Sequence, residues 1–237
     1  MLTDSFIFKN VRAKAKGIEL QSPLSISAAY PKVERQIIPG RNGTLIDHDG
    51  TFENRTITAR CYLLDMALES RIDDINAWLF GQGGYHRFED TQDEKHFMLA
   101  RASRGIDKYA KMGRINSFYL EFDAKPQRFL KLGEKAVDVT RTKSIYNPTA
   151  FPALPLIEIV GSGGDITVEI FGSKLYIHGL DGAITYDAET DEAYRGASNL
   201  NYMISTTDAL TIPSGQNTIT VTGNVSSIKI TPRWWEI

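Results

Sequence analysis

The second half of the chain is a series of short segments in which apolar and polar residues alternate, and this pattern limits the fold more than any other feature. Between residues 154 and 234 these segments read LPLIEIVG, DITVEIFG, KLYIHGL, AITYDA, NTITVTG and SSIKITPRW. A period of two places every second side chain on one face of a strand. The intervening GSGG, GS, DG, PSG and GN are typical of turns. Short strands at roughly ten-residue spacing predict an antiparallel β-sandwich.

The first half also contains strands but adds one helix. Apolar and polar residues alternate in residues 55–64 and again in residues 117–124, which predicts two strands. In residues 65–81 the apolar residues instead recur every three or four positions, as in an amphipathic helix; they are Leu68, Ile72, Ile75 and Leu79. We predict a helix near 65–80, with Asp65 as its N-cap and Gly81 ending it in a left-handed conformation.

A domain boundary is expected where the alternation is lost. Residues 124–155 carry four of the nine prolines. We therefore predict a β-rich N-terminal domain, sandwich-like or barrel-like with one α-helix, over residues 1–125. A C-terminal antiparallel β-sandwich follows over residues 126–237, with a linker region at about 126–152. The second half is also more acidic than the first, which suggests two units with different surfaces.

Composition excludes several classes of protein. The formal net charge is −2, which gives no reason to expect a polyanion partner, and Cys61 is the single cysteine. No intrachain disulfide or thiolate metal cage is therefore expected. The sequence has neither the apolar run of a signal peptide nor about 18 consecutive apolar residues. We expect a soluble protein, folded in a reducing compartment and not bound to a membrane.

The glycine-rich segment PGRNGTLIDHDG, residues 39–50, is the first candidate site. A phosphate-binding loop would need a lysine and a hydroxyl after its second glycine, but His48 stands at the required distance from Gly43 and the segment contains no lysine. A calcium loop starting at Asp47 would need an oxygen ligand and a glycine where Thr51 and Phe52 stand. The RNG sequence instead predicts a tight turn with Gly43 at positive φ, followed by a strand.

Acidic residues cluster in the sequence YDAETDEAY. Such a cluster could hold a cation or supply the carboxylate pair of a glycosidase, whose members lie about 5–10 Å apart in a cleft. Four acids within six residues are more typical of a solvated loop, which is the interpretation we favour. The residues are Asp187, Glu189, Asp191 and Glu192.

Basic residues recur every three or four positions in residues 101–114, a spacing that would form a stripe for nucleic acid on a helix. Gly105 and Gly113 interrupt the segment and its flanks read as strands. We therefore predict charges on a hairpin and no specific nucleic-acid binding. The basic residues are Arg101, Arg104, Lys108, Lys111 and Arg114.

No catalytic motif is present. The four histidines have no metal-binding spacing, and no GxSxG elbow presents a nucleophile. We predict no catalytic, cofactor-binding or metal-binding residues, no cofactor and no enzymatic activity.

Two adjacent tryptophans lie near the end of the sequence. Because neighbouring strand residues point to opposite faces, only one of Trp234 and Trp235 can enter a given core. The other is expected to face a neighbouring domain, a partner chain or a sugar ring.

These landmarks, in their order, resemble the distal tail proteins of long, non-contractile-tailed bacteriophages, encoded by a phage or a prophage. The resemblance runs nearly end to end. It rests on the segments PGRNGTL, TITARCYLL, INAWLFGQGGYHRFED, FYLEFDAKPQRF, NPTAFPALPLIEIVGSG, GSKLYIHGLDGAITYDAET, IPSGQNTITVTG and ITPRWWEI. It is a pattern of strands and turns, so it assigns no active site.

The resemblance implies a role in assembly. Members of this family form a hexameric ring through an N-terminal β-rich domain with one helix, and the ring joins the tail tube to the tail-tip hub or baseplate. Their C-terminal sandwich is similar to galectin or carbohydrate-module folds, and in some members insertions in it anchor receptor-binding proteins or bind host saccharide. The second unit of this chain has no long insertion, which is evidence against a sugar-binding role. The implied partners are thus further copies of the chain, a tail tube protein and a tail-tip hub protein. The implied location is the virion tail tip, after synthesis in the host cytoplasm.

Residues 39–50 are then expected to lie on a hairpin surface that faces a neighbouring subunit. The predicted interface residues are Arg41, Asn42, Asp47, His48, Asp49 and Trp235. Two alternatives stay open. One is a carbohydrate-binding module that adheres to host cell-wall saccharide through Tyr176, Tyr186, Tyr194 or Trp235; the other is a glycosidase-like enzyme that uses the acidic cluster.

Overall fold

The computed structural model describes residues 5–63, 68–106 and 117–237. The chain divides into two compact units, Met1–Arg128 with Ile237, and Phe129–Glu236. The predicted boundary near residue 125 stays a prediction. No helix within the described ranges has the length and apolar character that a bilayer crossing requires.

In its described residues, the first unit contains one helix, ten strands and a short 3-10 helix at Ala13–Lys16. In chain order, the elements are β1 (Phe6–Phe8), β2 (Val11–Arg12), β3 (Ile18–Leu20), β4 (Ser25–Ile26), β5 (Glu34–Ile37), β6 (Thr44–Asp47), β7 (Arg55–Leu63), α1 (Leu68–Phe80), β8 (His86–Asp90), β9 (His96–Arg104) and β10 (Ser117–Leu130).

Most of these strands form one sheet in the order β2-β1-β8-β9-β10-β7-β3, and β4 also pairs with β7. Alternate residues of β7 and β10 are buried, as the period of two predicted. Four phenylalanine rings meet in the core, with centroids 5.0 Å apart for Phe88 and Phe122 and 5.3 Å apart for Phe6 and Phe88. The fourth ring is that of Phe8, whose centroid lies 5.1 Å from that of Phe122. Stacked and edge-on contacts between aromatic rings stabilise a core beyond the burial of their area.

The helix packs its apolar stripe into the same core. Ile72, Ile75 and Leu79 are buried there, while the predicted N-cap, Asp65, lies outside the described residues. Gly81 ends the helix by donating its N–H to the Ala77 carbonyl (2.8 Å). Its φ is not positive, so the predicted left-handed ending is wrong; an ordinary i to i−4 hydrogen bond closes the last turn instead.

The regular elements of the second unit are strands and two 3-10 turns, at Lys131–Glu134 and Asn201–Met203. Its strands are β11 (Val137–Asp138), β12 (Thr142–Asn147), β13 (Leu156–Ile170), β14 (Ser173–Ile177), β15 (Asp181–Asp187), β16 (Glu192–Arg195), β17 (Ser198–Asn199), β18 (Ile204–Thr206), β19 (Gly215–Thr231) and β20 (Trp235–Glu236). The predicted linker region thus contains β11 and β12, which both pair with β19.

Two long strands, β13 and β19, run through both layers of this unit. The first half of β13 pairs with β15 and its second half with β14. The two ends of β19 pair likewise with β12 and β11. Strands that bend from one layer into the other in this way form the corners of a β-sandwich. The mainly β fold and the antiparallel sandwich are therefore confirmed.

Three of the predicted turns are wrong. The DG sequence, Asp181–Gly182, begins β15 and pairs with β13. The GSGG and GN sequences lie inside β13 and β19, at register shifts in the β13–β19 ladder near Gly161. Gly163, Gly164 and Gly223 adopt positive φ there, and a Cβ on Gly223 would lie 2.2 Å from the Asp165 carbonyl oxygen. These glycines form bulges rather than turns, because each strand continues along the same partner.

Candidate assembly interface

Among the described residues of the first unit, the most exposed segment is a hairpin arm, defined here as residues 30–53. It continues the antiparallel pairing between β4 and β7. Along this line Ser27 donates to the carbonyl of Thr56 (3.0 Å), Glu53 to that of Tyr30 (2.8 Å), and Lys32 to that of Thr51 (3.0 Å). The arm is thus hydrogen-bonded to the sheet of the first unit at its base and is not a detached loop.

The pairing shifts where the arm leaves this base. Lys32 is bonded opposite Thr51, whereas Glu34 pairs with Asp47, so two extra residues are accommodated on the returning strand. Asp49 stabilises this bulge by accepting hydrogen bonds from the Oγ1 (2.6 Å) and N–H (2.8 Å) of Thr51. These hydrogen bonds lower the pKa of Asp49. His48 donates its Nδ1 proton to the Lys32 carbonyl (2.9 Å).

Every residue from Pro31 to Thr51 is exposed. Strands β5 and β6 form a two-stranded sheet of their own. A two-stranded hairpin gains little stability in water by itself, and this one leaves Ile37 78%, Ile46 58% and Leu45 44% exposed. Exposed apolar side chains that cluster on one segment mark an interaction surface; Tyr30, Val33 and Ile38 are further exposed apolar residues of the arm.

The two faces of the arm differ in chemistry. Residues directly opposite each other in an antiparallel pair share a face. One face therefore carries Ile37 with Thr44 and Arg35 with Ile46, and the other carries Gln36 with Leu45 and Glu34 with Asp47. The acidic face borders a concavity of about 320 Å³ that is lined by Lys32, Val33, Glu34, Asp47, Asp49 and Glu53.

Five of the six predicted interface residues lie on this arm. Arg41 and Asn42 lie in the turn between β5 and β6, where Gly43 has the predicted positive φ of 83°. Asp47 ends β6, and the bulge contains the other two, His48 and Asp49. All five side chains are exposed, and their role in an interface stays a prediction.

Trp235 lies in the second unit, apart from those five. Its ring stacks on Phe151, with centroids 4.5 Å apart, and its Nε1–H donates to the Pro152 carbonyl (3.0 Å). Trp234 is buried in the core of this unit. The prediction that one tryptophan packs inside is therefore confirmed, while the interface role predicted for Trp235 stays a prediction.

Sequence reasoning missed the apolar residues of the arm, Ile37, Leu45 and Ile46. Their sequences, VERQII and TLID, do not alternate and instead contain the adjacent apolar pairs Ile37–Ile38 and Leu45–Ile46, so a search for a period of two passes over them. A usable signal was the Arg-Asn-Gly turn between two short apolar runs, which is typical of an independent hairpin.

The acidic cluster is held by ion pairs and hydrogen bonds within the second unit. Arg233 donates to both carboxylate oxygens of Asp187 (2.6 and 2.8 Å), and Tyr186 donates its hydroxyl proton to Asp191 (2.7 Å). Burial raises the pKa of Asp187, but the Arg233 guanidinium outweighs it and holds that pKa below its usual value. The cluster thus binds the end of the chain to the sandwich.

Of the five basic residues at positions 101–114, two lie in the part of the chain that the structure describes. Arg101 and Arg104 lie on β9 and pair with Asp123 (2.8 Å) and Glu121 (3.4 Å) on β10. The other three, Lys108, Lys111 and Arg114, lie outside the described residues. Across the ranges that the structure describes, no group of histidine, cysteine or acidic residues has the arrangement of a metal site.

The fold class that these features define is a mainly antiparallel β-protein of two units, with one helix and an exposed arm in the first. Among solved structures, the SPP1 Dit protein, a hub adsorption apparatus protein of a phage that infects Gram-positive bacteria, shares this fold with a TM-score of 0.69. The two are 13% identical over 96% of this chain and 97% of that one.

Chains of the phage P2 baseplate in its activated conformation are also similar. The structure with Ca has a TM-score of 0.54, 10% identity and coverage of 97% of both chains. The structure with Sr gives 0.52, 9% and 96% of both. No protein-family model and no curated protein matches the sequence. The resemblance to distal tail proteins is thus confirmed at the level of the fold.

Proposed function

We propose that this protein is a structural component of a bacteriophage tail, a ring-forming distal tail protein that connects the tail tube to the tail-tip hub or baseplate. The main support is a fold shared end to end with SPP1 Dit and with phage P2 baseplate chains. The sequence landmarks that resemble distal tail proteins agree with it.

The single observation that carries the proposal is the exposed arm. A hairpin with Ile37, Leu45 and Ile46 in solvent gains burial only by contact with another molecule. In a closed ring, each subunit contacts its neighbours through two different patches, which is a heterologous interface. An exposed hairpin that continues the sheet of one subunit is well suited to supply one of these patches.

The remaining roles follow from this assembly. The partners are further copies of the chain in a homo-hexamer, a tail tube protein on one side and a tail-tip hub protein on the other. The protein acts in the virion tail tip after synthesis in the host cytoplasm, and its role is non-enzymatic. Its near-neutral net charge of −2 suits a ring around a DNA conduit, because a strongly basic lumen would retain DNA.

The test is electron microscopy of the purified full-length chain over a range of concentrations, alone and with the tail tube and hub proteins of the same phage. We expect rings of six subunits with a central hole. Particles of single subunits under all of these conditions would contradict the proposal.

A carbohydrate-binding role for the second unit is the second candidate. The observation that favours it is a set of exposed aromatic side chains in this unit, of which Tyr202 is 80% exposed, together with Phe171. Of the aromatic residues considered from the sequence, Tyr186 is buried and cannot stack on a sugar. A glycan array tests this candidate: we expect binding that Tyr202→Ala reduces, and an array without any bound saccharide would exclude it.

A further inference from the structure

The second unit contains an exposed apolar groove that its own fold leaves uncovered. The groove has a volume of about 440 Å³. Its floor consists of the buried side chains of Ile145, Pro232 and Trp234. Leu132 and Tyr146 line it and are 66% and 63% exposed. A groove with an apolar floor and exposed apolar walls is typical of a contact surface.

Close packing fixes the shape of this groove. Arg233 donates its backbone N–H to the Gly133 carbonyl (2.9 Å), and a Cβ on Gly133 would lie 2.4 Å from the backbone nitrogen of Trp234. The turn that carries Leu132 is therefore pressed directly against the strand end that carries Trp234. A partner would meet a surface that is already formed, which reduces the entropy cost of binding.

Two lysines, Lys135 and Lys143, flank the groove and form no ion pair with the residues that the structure describes. Lys135 and Lys143 both line it, and Asp138 is the acid among its lining residues. Across the described part of the chain, neither lysine forms an ion pair. Both are exposed, so each is available to a carboxylate of another molecule.

The acidic face of the arm has the opposite character. Glu34 and Asp47 lie directly opposite each other on β5 and β6, and like charges in that position destabilise a strand pair. Neither forms an ion pair with the residues that the structure describes. Leu45 lies on the same face, beside the two carboxylates, and is 44% exposed.

We propose that the acidic face of the arm of one molecule docks into the lysine-flanked groove of a second copy. Leu45 enters the groove, and Glu34 and Asp47 face Lys135 and Lys143. The inference rests on the proposed ring, since a heterologous interface needs two different patches. The arm and the groove are two such patches, both apolar and of opposite charge, and complementary charge of this kind sets specificity and register.

The test is a charge-reversal cycle on the full-length chain. The arm variant is Glu34→Lys with Asp47→Lys, the groove variant is Lys135→Glu with Lys143→Glu, and a third chain combines all four substitutions. Association is followed by sedimentation velocity. We expect each reversal alone to weaken self-association at least about tenfold, because like charges then face each other. The combined variant should recover most of the lost association.

The matched control for the arm variant is Asp181→Lys with Asp208→Lys, which makes the same gain of positive charge at two exposed acids that belong neither to the arm nor to the groove lining. It should associate like the unchanged protein. Circular dichroism and melting curves establish that every variant is folded, which is expected because all six positions are exposed.

The outcomes separate the two claims. If the unchanged protein forms rings and the reversals do not weaken them, the docking inference is overturned while the ring stands. If the reversals weaken association and the combined variant fails to recover it, this pairing of arm with groove is overturned as well. If the unchanged protein stays a single subunit even with its tail partners, the proposed function itself fails.

Discussion

The hairpin arm and the β13–β19 pair show two uses of the same strand chemistry. Both are antiparallel pairs that contain isoleucine side chains, but only β13 and β19 alternate apolar with polar residues. In the β13–β19 pair, Ile159 is 1% exposed opposite Ile228, also 1%, whereas in the arm Ile37 and Ile46 are largely in solvent. Both regions form strands, but only the β13–β19 pair covers a core with its apolar side chains.

The difference matters because burial is the main source of stability. Removing an isoleucine side chain from water is worth about 1.5–3 kcal/mol. The β13–β19 pair gains this free energy of burial when the chain folds. The arm would gain it only on association with another molecule. One region therefore holds its unit together, and the other is available for assembly.

The largest expected effect is truncation in the buried strand pair. Ile159→Ala should lower the free energy of unfolding by about 2–5 kcal/mol, because it removes buried methyl groups and leaves a cavity. The matched change on the arm, Ile46→Ala, should alter the stability of the single chain by no more than about 0.5 kcal/mol. Urea denaturation measures both. Equal losses for the two variants would end the distinction between the two regions.

Glycine substitutions sharpen the same comparison. Gly223→Ala should cost roughly 2–4 kcal/mol, because its φ of 104° strains an L-residue and the added Cβ meets the Asp165 carbonyl. Gly43→Ala on the arm should cost only about 1–2 kcal/mol, since its φ is positive but nothing lies within 4 Å of the added atom. Thermal melting distinguishes the two, and a cost at Gly43 as large as that at Gly223 would contradict this account.

The ion pair between Asp187 and Arg233 gives an effect of intermediate size that depends on pH. Asp187→Asn should cost about 1–3 kcal/mol at pH 7, because it weakens two hydrogen bonds to the guanidinium and leaves that charge poorly paired. The pKa of Asp187 is lower in the folded state than in the unfolded state. The contribution is therefore present above the unfolded-state pKa of about 3.9, and it is lost as the pH falls through the lower folded-state value.

Urea denaturation at several pH values measures this dependence. The difference between the unchanged protein and Asp187→Asn should be constant near neutral pH and shrink in acid. The exposed Asp208→Asn serves as the control and should show no such difference. A gap that persists unchanged to the lowest pH would contradict the assigned role of Asp187.

The smallest expected effect on folding is the most informative for function. Ile37→Ser with Ile46→Ser should change the free energy of unfolding of the single chain by about 0.5 kcal/mol or less, because both side chains are already in solvent. Urea denaturation at a concentration where the chain is a single subunit measures this. A large loss would mean that the arm stabilises its own unit.

The sequence could predict features that depend on neighbouring residues. The helical stripe of Ile72, Ile75 and Leu79 and the positive φ of Gly43 are local properties, and both are present in the structure. The failed turns at residues 161–164 and 223–224 have a non-local cause: the glycines are compatible with a turn or a bulge, and the partner strand decides between them.

The candidate site was predictable in position but not in character. The glycine-rich turn placed the predicted interface in residues 39–50, but the residues predicted there are polar, whereas the exposed apolar residues are Ile37 and Ile46. Sequence alternation cannot show that a strand lacks a covering layer. Likewise, nothing in the WW pair indicates that Trp235 stacks on Phe151, because that contact joins residues 84 positions apart.

The most direct test of the account is the mass in solution of the unchanged protein and of a variant that removes the apolar side chains from both faces of the arm, Ile37→Ser, Leu45→Ser and Ile46→Ser, by size exclusion with multi-angle light scattering. A subunit has a mass of 26.5 kDa, so a six-membered ring has roughly 160 kDa. The account predicts a ring-sized species for the unchanged protein and a folded single subunit for the variant. A variant that assembles as fully as the unchanged protein would contradict the central claim that the arm joins the subunits.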